Sequence, residues 1–392
     1  MVKNRFKNKN RFTWAAALAS LIFFAGAGIG AYYIYKTVVA NNNNEQENKS
    51  VDLRGTDTTS KQKKSPTQKA KSLIKTSDSI ARLGFWNVLN YDNKDEKARS
   101  YAFSQIIATS NIDLIALAEI KENPNANGTS IIEELNKLQQ DAKWKELTTE
   151  VIGKKNQQER YTWLYKSSIF DLITPKNSKA NNPYLISEYK TIKYARPVAA
   201  AFFKHKTSGK TISLATGHFD SPGASKNRNE KQNSKFKTQG DQEINEAKHL
   251  ANVLKELNAD NPTDAQIFMA DTNIREDATN YAFKSSFEAG YKSLLETNEK
   301  TSLSQTFGRY ASAYDKIFFK GNLPTLNANK FDLWTVFDTN IVDLKTYQEL
   351  ARKDRKKFAS ISYKNNKDKT RLVRSISDHT AVYFDIDFKS KK

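Results

Sequence analysis

Two of the four histidines in this sequence lie where a predicted strand meets a loop, each close to an aspartate. His218 ends the apolar run "TISLATGH", and His379 in "SISDHTAVYFDID" comes just before another. A histidine that is held by a carboxylate can take up or release a proton near neutral pH. Two such units in one chain are therefore candidates for a paired acid and base.

Other predicted strands also begin or end in residues that bind metal ions or protons. In α/β proteins, ligands collect beyond the ends of the strands. Carboxylate and carboxamide oxygens suit Mg²⁺, Mn²⁺ or Ca²⁺, whereas zinc is disfavoured because the chain has no cysteine and no HxxxH spacing. A single carboxylate at a strand end is usually a turn former or a helix cap, but the repetition favours a site. These residues are Asn87, Glu119, His218, Asp271 with Asn273, Asp315, and Asp378 with His379.

A base, an acid and a cation are the groups that hydrolysis of a phosphodiester requires. The base takes a proton from water, the acid protonates the leaving oxygen, and the cation offsets charge on the phosphate. Serine-type acyl transfer fits poorly because no G-x-S-x-G sequence occurs, and no phosphate-binding glycine loop follows a strand. The residues thus favour a metal-dependent phosphodiesterase.

The elements that must position these residues alternate between strands and helices. "IDLIALAEI" and "AQIFMADTN" are short apolar runs typical of buried strands, and "DQEINEAKHLANVLKELN" has the spacing of an amphipathic helix. Interleaved helices and strands predict an α/β fold with a mixed sheet. Trp86, Trp144 and Trp163 lie in apolar runs and are predicted to be core residues.

The charge of the chain bears on its partners. A net charge of +20 favours a polyanion, either nucleic acid or an anionic membrane surface, although a merely solvated surplus of lysine is an equal alternative. Two basic segments, 224–239 and 352–374, adjoin predicted site residues and are candidates for contacting phosphates. The absence of cysteine excludes disulfides and a thiol nucleophile. No protein partner is evident.

The N-terminal region predicts export. Residues 1–12 carry five basic and no acidic side chains, and the uncharged run from Phe12 to Tyr35 is 24 residues long. Such a run can span a bilayer with its basic flank in the cytoplasm, or serve as a cleaved signal sequence. We therefore expect a basic cytoplasmic segment (1–12), a transmembrane anchor or signal sequence (13–36), a disordered linker (37–80) and a catalytic domain (81–392) outside the cell membrane.

Eight blocks of the domain resemble, in order, the motifs of the DNase I-like endonuclease/exonuclease/phosphatase family. They are "FWNVLN", "DLIALAEIKE", "QERYTWLYK", "RPVAAAFF", "LATGHFDSPG", "FMADTNI", "AYDKIFF" and "SISDHTAV". The resemblance covers roughly residues 81–388, and the basic N-terminal segment makes the whole chain similar to a mycoplasma-type membrane nuclease. It implies a four-layer sandwich of two packed mixed β-sheets flanked by helices, with the site at one edge.

The resemblance also implies roles for the metal and substrate residues. Glu119 would be the principal ligand of Mg²⁺, with Ca²⁺ or Mn²⁺ as alternatives. Asn87 would help to hold the ion, and Asp378 would support the metal side. Arg196 is similar to the family's phosphate-contacting arginine. The sequence departs from the pattern at Gln157, where pancreatic-type enzymes have a tyrosine that contacts DNA.

The resemblance further implies two acid/base pairs, His218 oriented by Glu159 and His379 oriented by Asp315. Which histidine is the acid stays open. Asp271 and Asn273 would contact the scissile phosphate or the attacking water. The other two histidines are assigned no chemistry: His205 precedes a hairpin turn and is predicted to be exposed, and His249 lies in the amphipathic helix.

The function that this sequence favours is a membrane-anchored extracellular nuclease that hydrolyses DNA, with RNA as a further substrate to test. One alternative is a phosphodiesterase of the same fold that acts on another phosphate, such as a sphingomyelinase. Another alternative is a non-catalytic surface protein that binds nucleic acid. Loss of plasmid DNA that depends on a divalent metal separates the enzymes from the binding protein.

Overall fold

A computed structural model describes residues 78–179, 182–224 and 230–389. The predicted segments 1–12 and 13–36 and all but the last residues of the predicted linker lie outside this part of the chain. Within the described residues, no helix combines the length and the apolar character needed to cross a membrane.

The described chain alternates between strands and helices, as the sequence predicts. The strands are β1 (Ile80–Tyr91), β2 (Leu114–Ile120), β3 (Trp144–Thr148), β4 (Arg160–Lys166), β5 (Phe170–Ile173), β6 (Tyr184–Ile186), β7 (Ala199–His205), β8 (Thr211–His218), β9 (Ala265–Asp271), β10 (Lys292–Ser293), β11 (Asp315–Gly321), β12 (Thr325–Lys330) and β13 (Val382–Asp387). The α-helices are α1 (Lys97–Thr109), α2 (Thr129–Leu138), α3 (Asp241–Asn258), α4 (Thr279–Ala282), α5 (Lys284–Glu288), α6 (Leu344–Lys353) and α7 (Asn366–Arg374).

The strands form two mixed sheets. The first has the order β12-β13-β1-β2-β4-β3, and the second has the order β10-β11-β9-β8-β7-β5, with β6 paired to β7. β1 with β2 and β8 with β9 are parallel, and the other pairs are antiparallel. The predicted α/β class with mixed sheets is confirmed.

Three apolar layers hold the sheets and helices together. The inner faces of both sheets meet in one cluster, where Phe85 and Leu214 are fully buried. On the outer face of the first sheet, Trp86 packs edge-on against Phe103 of α1. On the outer face of the second sheet, Phe268 lies in a cluster with the apolar side of α3. The layers are thus helix, sheet, sheet and helix.

The two parallel pairs bring the candidate residues to one end of the sandwich. The carboxyl ends of β1, β2, β8 and β9 meet there, and β11 and β13 begin there because they run antiparallel to their neighbours. In the second sheet, Asp271 is the register partner of both His218 and Asp315. Three polar residues therefore stand side by side across three adjacent strands.

Burial confirms the tryptophan predictions and corrects one histidine. Trp86, Trp144 and Trp163 are all buried. The prediction that His205 is exposed is wrong, since its side chain is 1% exposed. A hairpin turn does follow it, but its imidazole stacks on Phe388 with ring centroids 4.2 Å apart. The turn is polar while the ring faces the core.

Candidate active site

The first acid/base candidate is the pair His218 and Glu159. Nδ1 of His218 lies 2.9 Å from Glu159 Oε2, so the carboxylate fixes the orientation of the ring. Asp220, the nearer neighbour in sequence, instead accepts a hydrogen bond from Gln157. Burial and Arg196 lower the pKa of His218, but Glu159 and Asp271 outweigh them, and the pKa is raised overall.

The second candidate is the pair His379 and Asp315, which has the same geometry. Nδ1 of His379 lies 2.8 Å from Asp315 Oδ2. Burial opposes protonation of His379, but Asp315 and Asp271 outweigh it and hold its pKa well above the ordinary value. His379 also lies beside the half-buried ring of Tyr314, with the two rings roughly parallel.

Asp271 lies between the two histidines. Its Oδ2 is 3.8 Å from Nε2 of His218 and 3.4 Å from Nε2 of His379. Burial would raise the pKa of Asp271, but the two imidazoles overcome this effect and lower it. Each histidine therefore directs Nδ1 to its own carboxylate and Nε2 to the same central carboxylate.

Asn87 and Glu119 from the first sheet complete this cluster. Nδ2 of Asn87 donates to Glu119 Oε1 at 2.8 Å and to Asp271 Oδ2 at 3.0 Å, which joins the two sheets. The backbone N–H of Asn90 donates to Glu119 Oε2 at 3.0 Å. Oε1 of Glu119 is 4.0 Å from Nε2 of His218. Burial raises the pKa of Glu119.

The backbone is strained where these two residues sit. Glu119 has φ 61°, and Leu89 and Asn90 have φ 49° and 52°, in a region that glutamate and leucine rarely adopt. The register of β1 with β2 shifts between Asn87 and Tyr91, as in a β-bulge. Bulges redirect side chains at the ends of strands, and strained backbone is typical of functional sites.

The structure offers two carboxylate groupings for a metal ion. Asp271, Asp315 and His379 present three ligand atoms within 4.8 Å of one another, and Asp315 Oδ1 is buried without a hydrogen-bond partner among the described residues. Glu119 and Asp271 form the other grouping, because both have an oxygen within 3.0 Å of Asn87 Nδ2. Both sets consist mainly of hard oxygen donors, which fit Mg²⁺ or Ca²⁺.

Solvent access distinguishes the two groupings. The side chain of Glu119 is 17% exposed, whereas that of Asp315 is 0% exposed, and Asp271, at 2% exposed, belongs to both groupings. A catalytic metal needs a free position for water or substrate. The Glu119 side therefore suits a catalytic ion better than the buried Asp315 side.

Arg196, which the sequence places against the substrate, is 4% exposed and points inward. Its Nε donates to the backbone oxygen of His218 at 2.8 Å, and its Nη2 donates to that of Phe219 at 2.5 Å. Its Nε is also 3.5 Å from Glu159 Oε2. Nε and Nη2 of Arg196 are thus occupied by partners within the protein.

Asn273 and Asp378 lie beside the cluster rather than within it. Asn273 lies two residues beyond the end of β9. Its backbone N–H donates to Asp271 Oδ1, and its Nδ2 donates to the backbone oxygen of Phe219 at 3.1 Å. Oδ2 of Asp378 is 3.6 Å from Nη2 of Arg374. Among the described residues, no hydrogen bond joins Asp378 to Asn87, and its role on the metal side stays a prediction.

Two buried residues that the sequence did not single out hold the loops of the site in place. The hydroxyl of Ser377 donates to the backbone oxygen of Asn87 at 2.7 Å and accepts from the backbone N–H of His379 at 3.1 Å. The guanidinium of Arg99 donates to the backbone oxygens of Val88, Leu89 and Ile376. The "SISDH" block contains Ser377, but nothing in the sequence predicts its contact with Asn87. Arg99 lies in a predicted helix, and its neighbours in sequence do not indicate its three backbone partners.

Comparisons with known proteins give weak similarities. No family model matches the chain. An uncharacterized protein of Mycoplasma pneumoniae (strain ATCC 29342 / M129 / Subtype 1) is 35% identical over 150 residues, which cover 38% of this chain and 31% of that protein. The chain thus matches about a third of the length of this relative, which does not establish a shared family.

Solved structures resemble the chain over most of its length. D. rerio TDP2 in complex with a single-stranded DNA product has a TM-score of 0.46 and 15% identity, covering 79% of this chain and 99% of that one. The human nocturnin catalytic domain with bound sulfate has a TM-score of 0.47 and 14% identity over 79% and 95% of the two chains. An endonuclease/exonuclease/phosphatase family protein from Bacteroides thetaiotaomicron has a TM-score of 0.46 and 13% identity over 80% and 99%. TM-scores below 0.5 do not by themselves establish a common activity.

Proposed function

We propose that this chain is a divalent-metal-dependent phosphodiesterase of the DNase I-like type that hydrolyses DNA, with RNA as a second candidate substrate. The observation that carries the proposal is the arrangement of two histidine–carboxylate pairs around Asp271. Nε2 of His218 and Nε2 of His379 both approach Asp271 Oδ2, at 3.8 and 3.4 Å. One group that accepts a proton and one that donates a proton are what phosphodiester hydrolysis needs on the two sides of the phosphorus.

The proposal assigns a role to each group at the site. Glu159 and Asp315 hold the two imidazoles through Nδ1, so that each Nε2 is free to exchange a proton with water or with the leaving oxygen. Asp271 accepts a hydrogen bond from the amide of Asn87, and this bond joins the two sheets at the site. A bound Mg²⁺, held by Glu119 with Asn87, would offset negative charge on the phosphate.

Membrane anchoring belongs to the same proposal and is supported by the sequence alone. The basic segment 1–12 and the uncharged segment 13–36 would hold the enzyme on the outer face of the cell membrane, with the domain from residue 81 outside. An extracellular nuclease attached in this way would degrade nucleic acid close to the cell surface.

The proposal is tested with the purified full-length chain on plasmid DNA, linear DNA, RNA and sphingomyelin, each with Mg²⁺, Ca²⁺ or EDTA. We expect metal-dependent loss of DNA that EDTA abolishes. Hydrolysis of sphingomyelin with no hydrolysis of nucleic acid would replace the nuclease by the lipid-directed alternative. Tight binding of DNA with no hydrolysis under any condition would support the non-catalytic alternative.

A further inference from the structure

The surface of the domain carries a groove of about 610 Å³. The loop that begins at Gly153 forms one wall, and the segment 187–197 forms the other. Four lysines line it, namely Lys154, Lys155, Lys190 and Lys193, and within the described chain Glu188 is the single carboxylate among its lining residues. The groove has the size of an ordinary ligand site and a clear excess of positive charge.

The positive charges of the four groove lysines are available to a ligand. None of them has a carboxylate oxygen within 4.0 Å among the described residues. In the basic segment 352–374, four of the ten basic residues pair with carboxylates, namely Lys356 at 2.8 Å, Lys369 at 3.3 Å, Arg374 at 3.6 Å and Arg371 at 3.9 Å. The groove therefore brings together, around one cavity, four ammonium groups that are unpaired within the described part of the chain.

The groove is connected to the candidate site through one buried side chain, Arg196. The backbone N–H of Lys154 donates to the oxygen of Ala195 at 2.9 Å, which ties the two walls together. Gly153 has φ 105°, and a Cβ there would lie 3.0 Å from Cγ of Arg196. Arg196 in turn lies 3.5 Å from Glu159 Oε2. A ligand in the groove therefore sits one buried side chain away from the carboxylate that orients His218.

We propose that this lysine groove binds backbone phosphates of a single nucleic-acid strand, on the His218 side of the bond that is cut. The inference rests on the proposed function, since a nucleic-acid strand that is cut at the site must extend beyond it on the His218 side to reach the groove. Flexible ammonium groups bind successive phosphates without reading sequence and release counterions as they do so. The enzyme would then prefer strands long enough to reach the groove over a dinucleotide.

A matched pair of variants isolates the groove. The groove variant combines Lys154→Gln, Lys155→Gln, Lys190→Gln and Lys193→Gln. The control variant combines Lys204→Gln, Lys292→Gln, Lys320→Gln and Lys145→Gln, which removes the same charge from exposed lysines outside the groove lining. Circular dichroism and thermal unfolding check that both variants fold.

Binding is measured first, with the full-length chain in EDTA and a fluorescent single strand of about 20 nucleotides. We expect the groove variant to bind roughly tenfold or more weakly than wild type, with a salt dependence flattened by about 0.7 for each lysine that contacts a phosphate. The control variant should stay within about twofold of wild type. Equal weakening in the two variants would overturn the proposal, because net charge alone would then explain binding.

Hydrolysis separates this inference from the proposed function. With Mg²⁺, the groove variant should show a raised KM for the long strand and an unchanged kcat/KM for a dinucleotide. If wild type cleaves neither substrate, the proposed function fails and the binding measurement alone decides the groove. If the groove variant loses affinity for phosphatidylserine vesicles but not for the strand, the groove belongs to a lipid surface and the proposal is wrong.

Discussion

Replacing Arg196 tests whether this residue holds the site together or touches the substrate. In Arg196→Met, two hydrogen bonds from a charged group to the backbone oxygens of His218 and Phe219 are lost, and Glu159 loses a nearby positive charge. Removing one partner of a buried ion pair costs about 3–5 kcal/mol. We therefore expect the free energy of unfolding to fall by about 3 kcal/mol or more.

The assay is urea unfolding followed by tryptophan fluorescence, combined with steady-state kinetics on DNA. With a slope of about 3 kcal/mol per molar urea, the unfolding midpoint should fall by about 1 M. The turnover number should fall as well, because the strand end that carries His218 loses its support. Arg160→Met is a suitable control, since this half-buried arginine makes one hydrogen bond to the backbone oxygen of Thr149 and should cost only about 1 kcal/mol.

The opposite result would refute this reasoning. If Arg196→Met unfolds at the same urea concentration as wild type while its KM for DNA rises tenfold, the arginine contacts a phosphate as the sequence predicts. The inward orientation of its guanidinium would then not be the state that binds substrate.

Three further predictions concern the metal site, the buried Glu246 and the N-terminal segment. Glu119→Gln should raise the Mg²⁺ concentration for half-maximal activity roughly tenfold or more, whereas Asp315→Asn should mainly lower kcat by about 10²- to 10⁴-fold; the reverse pattern would place the ion at Asp271, Asp315 and His379. Burial raises the pKa of the Glu246 carboxyl from 4.5 to about 7. The folded state therefore binds this proton more tightly than the unfolded state does. The stability that the proton contributes is complete below about pH 4.5 and is lost as the pH rises through about 7. Urea midpoints of wild type and Glu246→Gln at about pH 5 and about pH 8 should therefore differ in pH dependence, and parallel profiles would contradict the assignment. If segment 13–36 is an uncleaved anchor, activity should stay with membranes through high-salt washing and leave them only with detergent or protease, and a protein released with its N-terminus near residue 41 would show a cleaved signal instead.

Much of the fold could be predicted because its strands are short apolar runs with distinct ends. The runs that end at His218 and Asp271 are bounded by polar residues, so their lengths and boundaries are visible in the sequence. Once β8 and β9 are parallel neighbours, these two residues meet at the same edge of the sheet. Local pattern and sheet geometry suffice for this part of the site.

The contacts between distant segments could not be predicted from spacing alone. His218 meets Glu159 across 59 residues, and His379 meets Asp315 across 64 residues. These pairs came from the resemblance to a family rather than from any local signal. The hydrogen bond from Ser377 to Asn87 spans 290 residues, and neither the spacing nor the family resemblance predicts it.

The orientation of individual side chains was the least predictable feature. The family resemblance implies that Arg196 contacts the substrate, and the hairpin turn after His205 predicts that His205 is exposed to solvent. The structure instead buries both, because Arg196 is drawn to backbone oxygens and a carboxylate and His205 stacks on Phe388. Such choices depend on partners that only the assembled fold brings near.

The most direct test of the account is the rate of Mg²⁺-dependent DNA hydrolysis by His218→Ala, His379→Ala and the double variant. General acid–base assistance is worth about 10²- to 10⁴-fold per group, and groups that act in one step are not additive. We predict that each single variant loses at least that much turnover and that the double variant loses far less than the product of the two. His249→Ala should match wild type, because the half-buried ring of His249 is hydrogen-bonded to the backbone oxygen of Asn245 and tilts against Tyr189, away from the two histidine–carboxylate pairs. Near-normal turnover in His218→Ala or His379→Ala, with all variants folded, would contradict the account.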